Sequence, residues 1–311
     1  MAGHVCVFDL DNTLGDFRII DYFGVLLEPK IIPNHSGYNH DKKEDFLHII
    51  DSYSKEEKDL LLKLRNSLEK EIEKEGLTEK ILRPNLKQIL EQLVNQYNKH
   101  KIQGFIIYSN NANLYVLEYA GRAIQNMFHT PNLFIKYLDR NHEEREKFDK
   151  LDQSGYPSKM VNTIRQYSNG KILFIDDLIH NDFYIDYENV TYIQIPPFET
   201  DADTLDLQMI ITIFEDIFDT LSKEEINMFF NLYHMKHILQ IHNFDEIKKQ
   251  YLEYSKERKS PKEFKENLPM IEEKIQTFIK KISTNGGKKR QRKTRKNSSS
   301  KCSTKKRKYS K

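Results

Sequence analysis

Apolar residues along this chain gather in short runs separated by stretches of helical spacing. Residues 4–8, His-Val-Cys-Val-Phe, are cut off abruptly by acids and predict a strand buried on both faces. Residues 17–40 carry Pro33, Asn34 and Gly37 and read as irregular. Within 42–76, Leu60, Leu61, Leu64, Leu68 and Ile72 recur at helical spacing, and Gly76 supplies the stop. Pro84 then opens a helix whose face is Leu86, Ile89, Leu90, Leu93 and Val94. Further strands are predicted at 104–108, 133–137, 171–175 and 190–195, the last stopped by Pro196 and Pro197, with helices at 113–127, 158–167 and 206–218. Strands alternating with helices imply a parallel sheet covered on both faces, a three-layer α/β fold.

The remaining segments divide the chain. Residues 1–16 and 81–219 make the α/β core, and 17–80 form a mainly helical insert after the first strand. Residues 220–284 are a helical extension without strand signal. Its His234, His237 and His242 have no carboxylate or cysteine spacing around them to suggest a metal site. Asn285-Gly286-Gly287 ends the last helix. The low-complexity tail 285–311 lacks the apolar residues to join a core and reads as disordered.

Charge sharpens this division. The formal net charge is only +2, but the tail holds 13 Lys and Arg and no acid, which leaves 36 basic against 47 acidic residues before it. Such a tail suits a nuclear-localisation signal or contact with nucleic acid or another polyanion. The two cysteines, Cys6 and Cys302, form neither a metal spacing nor a disulfide framework and fit a reducing compartment. The first residues do not read as a signal peptide, and no apolar stretch is long enough to cross a bilayer. The expectation is a soluble intracellular protein, cytoplasmic or nuclear, with no membrane partner.

Chemistry concentrates where apolar runs end. Asp9 and Asp11 follow the first strand one residue apart, so they can converge on one metal and one phosphorus. A phosphate monoester dianion repels an attacking carboxylate, and a divalent cation, Mg2+ for an all-oxygen site, would neutralise both. One carboxylate would attack while the other protonates the leaving oxygen. Ser109 ends the second strand, where a hydroxyl and the backbone N–H groups of the next helix can hold phosphoryl oxygens. Asp176 and Asp177 end the fourth strand and would repel one another unless a cation or a lysine compensates. Lys159 and Lys171 are the nearby lysines, before and at the start of that strand.

These four segments, in this order, resemble the motifs of the haloacid-dehalogenase (HAD) superfamily of phosphatases, with a HAD-like Rossmannoid sheet and the insert at the cap position. The resemblance implies that Asp9 is the nucleophile and Asp11 the general acid/base. It places Asp9, the backbone carbonyl of Asp11, and Asp177 on Mg2+, and puts Thr13, Ser109, Asn110 and Lys159 around the phosphoryl group. Lys159 is favoured over Lys171 because the family's lysine lies at a helix start well upstream of the fourth strand. Asp176 would orient Lys159, although the roles of Asp176 and Asp177 could be exchanged. Leu82-Arg83-Pro84-Asn85-Leu86 and Ile195-Pro196-Pro197-Phe198 resemble the branch that includes the RNA polymerase II C-terminal-domain phosphatases and NLI-interacting-factor-like proteins. Asn85 stands where that branch usually has Gly. The composition and basic tail also look like those of large DNA virus proteins, which would place the chain in a host cell and in the virion.

The implied activity is Mg2+-dependent hydrolysis of a phosphomonoester through a phosphoaspartyl intermediate, with a phosphoprotein (Ser/Thr phosphate) as first substrate. The alternatives are a nucleotide or nucleic-acid end phosphatase and, in another class, a catalytically idle binding module tethered by its tail.

Overall fold

The computed structural model describes residues 3–27, 52–150, 158–184, 188–200, 207–256 and 267–284. Five strands form one sheet in the order β3-β2-β1-β4-β5, from β1 (Val5–Phe8), β2 (Gly104–Tyr108), β3 (Phe134–Leu138), β4 (Ile172–Asp176) and β5 (Val190–Gln194). Every pairing is parallel, with Val5 opposite Gly104 on one side and Ile172 on the other. The chain builds outward from β1 to β3, then crosses back to lay β4 on the other side of β1. The crevice at the carboxyl ends of β1 and β4 is therefore the switch point where sites form in such sheets.

Alternate residues of the buried strands feed two separate cores. Cys6, Phe8, Phe105, Ile107, Leu173 and Ile175 join a large cluster on one face. Val5, Val7, Ile106, Tyr108, Ile172 and Phe174 join a small one on the other. The small cluster is closed by Val161 and Ile164 of α7 (Val161–Arg165) and Phe183 of α8 (Asn181–Tyr184). The three layers are thus unequal.

The large cluster takes α1 (Arg18–Leu27), α2 (Lys55–Lys74), α4 (Leu86–Asn98), α5 (Leu114–Met127) and α9 (Leu207–Asp219), together with the extension. The extension comprises α10 (Lys223–Asn231), a π-helical turn (His234–Leu239), α11 (Phe244–Lys256) and α12 (Leu268–Thr284). Two shorter helices among the described residues are α3 (Leu77–Ile81) and α6 (Glu143–Phe148). Insert and extension therefore share one core: Phe23 of α1 stacks on Tyr251 of α11 and packs against Phe214 of α9.

Several boundaries differ from the sequence reading. Residues 18–27, expected to be irregular, form α1, because Ile19, Ile20, Phe23, Leu26 and Leu27 line one buried face. Residues 28–51 lie outside the described residues. The helix expected over 42–76 begins at Lys55, where Ser54 and Glu57 close a capping box, and Gly76 ends the segment at φ 65°. The helix after Pro84 starts at Leu86, with Asn85 left-handed at φ 62° before it. The helix expected over 158–167 is only Val161–Arg165. Among the described residues, no helix is long and apolar enough to cross a membrane.

Candidate active site

The carboxyl ends of β1 and β4 bring together what the sequence keeps far apart. Asp9 follows β1, its amide hydrogen-bonded to Ile175 O of β4 at 3.0 Å. Asp176 closes β4 and Asp177 follows it. Carboxylate oxygens of Asp9, Asp176 and Asp177 lie within 4.8 Å of one another, all buried. Lys159, two residues before α7 and 2% exposed, donates its ammonium to Asp9 Oδ1 and, at 2.7 Å, to Asp176 Oδ2. Asp182 of α8 accepts from the first amide of α7, Val161 N, at 2.9 Å and so fixes the chain that carries Lys159. Lys171 sits at the opposite end of β4, its ammonium 3.5 Å from Asn189 Oδ1.

The electrostatics follow from burial. Burial opposes the Lys159 ammonium, yet Asp176 and Asp9 outweigh it and raise its pKa above the ordinary lysine value. Burial raises Asp9 despite the lysine. Asp176 is also buried, but Lys159 and His180 prevail and lower it. Asp177 is pushed up to about 7 by burial and by Asp9 and Asp176. One ammonium therefore leaves two of the three carboxylates in an unfavourable field, and an oxygen-liganded divalent cation is what such a donor set fits.

Asp176 and Asp177 are held differently. Asp176 Oδ1 accepts from Leu178 N at 2.8 Å while Oδ2 takes Lys159, with His180 Nε2 at 3.2 Å. Asp177 Oδ1 accepts from the Thr13 hydroxyl at 3.1 Å, and that hydroxyl accepts from Asp177 N at 3.0 Å. The structure thus turns Thr13 toward Asp177.

Asp11 stands beside this group; its carboxylate is not part of the three-acid cluster. Asn111 Nδ2 donates to Asp11 Oδ2 at 3.3 Å, and burial with Asp9 and Asp21 raises the Asp11 pKa to about 8. Asp21 comes from α1, which approaches because Gly24 leaves room for Asn113: a Cβ there would lie 2.1 Å from Asn113 Nδ2. Asn113 Nδ2 in turn donates to Asp21 Oδ1 at 3.2 Å. Ser109 is buried at the end of β2, and its hydroxyl accepts from Asn111 N at 3.0 Å.

Two buried arginines hold the loops. Arg83 donates to the carbonyls of Thr13 (2.7 Å), Asn12 (2.6 Å) and Pro196 (2.5 Å), pinning the turn after Asp9. Phe198, whose ring lies under that guanidinium, donates its amide to Asn12 O at 2.8 Å. Arg145 donates to Ser109 O and, at 2.6 Å, to Asn110 Oδ1, so the Asn110 side chain is engaged there. Sequence reasoning missed Arg145, Asp182 and Asp21. Arg145 is buried and Asp182 and Asp21 are half-buried, a single polar residue leaves no period, and the signal at 143–145 is an arginine among glutamates.

No family profile matches this chain, and no curated protein matches it. Among solved structures, a HAD-superfamily hydrolase, subfamily IA, variant 1, from Geobacter sulfurreducens PCA is 13% identical, over 62% of this chain and 89% of its own, with a TM-score of 0.29. That likeness is too slight to carry an argument, so the reading of this site rests on its own residues.

Proposed function

We propose that this chain hydrolyses phosphate monoesters in two displacements at Asp9, as a HAD-type phosphatase. The observation that supports this best is one buried ammonium, Lys159, shared by Asp9 and Asp176 with Asp177 grouped beside them. Asp9, Asp177 and the backbone carbonyl of Asp11 would hold Mg2+, since Lys159 and Leu178 N already engage Asp176. Bound there, the ion would offset the negative charge that phosphate and carboxylates bring together.

In the first displacement a carboxylate oxygen of Asp9 attacks phosphorus. The bond from phosphorus to the leaving oxygen breaks, and that oxygen takes the carboxyl proton of Asp11. In the second, water attacks the phosphorus of the phosphoaspartyl group and yields a proton to Asp11. The Asp9–phosphorus bond breaks and inorganic phosphate leaves. Lys159 balances charge on the transferred group, the Ser109 hydroxyl and the backbone after it receive its oxygens, and Thr13 braces Asp177.

Hydrolysis of p-nitrophenyl phosphate tests this reading. Activity should vanish with EDTA and return with Mg2+, and Asp9→Asn should lower kcat by on the order of 10³ with the fold intact. Activity of that variant within about tenfold of wild type would sink the mechanism. Absence of turnover together with retained phosphopeptide binding would favour the idle module.

A phosphoprotein is the first substrate class. Its support is that the two segments resembling C-terminal-domain phosphatases, around Arg83 and Pro196–Phe198, meet at the Asn12 turn. The basic tail, which lies outside the described residues, favours the nucleic-acid alternative and a polyanion partner. Deleting 285–311 should leave aryl phosphate hydrolysis unchanged but abolish salt-sensitive binding to DNA or RNA, measured by anisotropy at two salt concentrations. Absence of such binding in the full chain would remove the support for a nucleic-acid substrate.

A further inference from the structure

A buried polar network joins the two segments that would flank a transferred phosphoryl group. Arg145 on α6 and the adjacent Asp149 have side chains 1% and 0% exposed, and Arg145 Nε donates to Asp149 Oδ2 at 2.6 Å. The guanidinium's other nitrogens reach Ser109 O and Asn110 Oδ1, and its plane lies over the Tyr108 ring, 4.7 Å from the centroid. The Tyr108 hydroxyl donates to Asp149 Oδ1 at 2.6 Å and accepts from Met160 N at 2.9 Å. Met160 directly follows Lys159. One continuous path thus runs from the Ser109–Asn110 turn through Arg145, Asp149 and Tyr108 to the residue beside the active-site ammonium.

We infer that Arg145, Asp149 and Tyr108 are positioning residues: their bridge sets the Ser109–Asn110 turn and Lys159 at the spacing a phosphoryl group requires. The inference rests on the phosphatase reading for its functional consequence, while the bridge itself stands on the hydrogen bonds alone. A buried ion pair offers little stability over well-packed apolar residues of similar volume. What it supplies is direction. The planar fork of an arginine fixes two backbone-linked acceptors and a carboxylate at once, which a lysine or an apolar residue cannot do. Thr163 provides an internal control. Its hydroxyl donates to the same Asp149 Oδ1 at 2.6 Å, whereas its tie to Met160 is made by the backbone, Thr163 N to Met160 O at 3.2 Å, and is kept when the hydroxyl is removed.

The test compares Tyr108→Phe, Thr163→Val and Arg145→Lys in the full chain with Mg2+. It reads melting temperature, kcat and KM on p-nitrophenyl phosphate, and amide hydrogen exchange. In Tyr108→Phe, exchange should quicken by roughly tenfold over both 109–113 and 158–162. Its kcat should fall about tenfold with KM changed by less than about twofold. Thr163→Val should lose comparable thermal stability while kcat stays within about twofold. Arg145→Lys should behave like Tyr108→Phe; if it does not fold, Tyr108→Phe decides. Faster exchange confined to 158–162, or a kcat loss in Tyr108→Phe no greater than in Thr163→Val, overturns the inference. If the wild-type chain hydrolyses nothing, the phosphatase reading falls, and the exchange pattern still decides whether the bridge couples the two segments.

Discussion

Of the two lysines that lie near the fourth strand in the sequence, Lys159 meets Asp9 in space and Lys171 does not. Lys171 precedes the strand that Asp176 ends, so a run of extended residues separates it from the site, whereas Lys159 arrives from the side through the start of α7. Lys159→Ala should therefore lower kcat on an aryl phosphate by on the order of a hundredfold or more, because two buried carboxylates lose their shared counter-charge. Lys171→Ala should stay within about twofold, and the reverse ranking would show that the ammonium facing phosphate has been misassigned. Steady-state kinetics on both variants decides between them. The strand-end positions of Asp9, Asp176 and Asp177 were legible because an acid that terminates a fully apolar run has few structural reasons to be there. Arg145 and Asp182 were illegible for the converse reason: what matters about them is which distant carbonyl or amide they meet, and no local pattern encodes that.

At the scale of elements, the turn into α4 shows how one backbone conformation shapes the site. Asn85 is left-handed at φ 62°, which lets the chain leave Arg83, clamped on the Asn12, Thr13 and Pro196 carbonyls, and start the helix at Leu86. Asparagine and glycine tolerate that region, whereas a Cβ without a compensating side chain is strained there. Asn85→Gly should leave stability within about 0.5 kcal/mol, while Asn85→Ala should cost about 1 kcal/mol in urea unfolding. Equal stability of the two variants would mean the turn relaxes out of the left-handed region. The five strands were readable as short apolar runs with abrupt ends, and α4, α5 and α9 as helices to within two residues of their observed starts. α1 was not, because its apolar face runs through Gly24 into a segment with Pro33 and Gly37, and the glycine is used for close approach to Asn113 rather than as a breaker. The Ser54–Glu57 capping box was present in the sequence and marks where α2 begins.

Among the described residues the layers are unequal: insert and extension pile onto one face of the sheet, and the other carries short helices. Sequence shows that both additions are helical, but not that they share a core, since that depends on pairings across two hundred residues. His234 is one polar link between them. In the π-helical turn of the extension, its Nδ1 lies 2.8 Å from the Tyr53 hydroxyl and its Nε2 2.9 Å from Leu26 O at the end of α1. Burial, only partly countered by the Leu26 carbonyl, lowers its pKa to about 4, so the folded protein keeps it neutral where an unfolded chain would protonate it. Its stabilising contribution is complete above pH 6.5 and is lost as pH falls toward 4, because over that window the unfolded state binds the extra proton. The loss amounts to roughly 3 kcal/mol. The raised carboxyls of Asp9, Asp11 and Asp177 act in the opposite sense over the acid range, so the wild-type slope alone is ambiguous. The difference between wild type and His234→Gln removes that ambiguity, since the carboxyls are common to both. Melting temperatures from pH 7.5 to 4.5 should fall more steeply in the wild type, and the two curves should converge on the acid side. Parallel curves would show that His234 is not the titrating link between insert and extension.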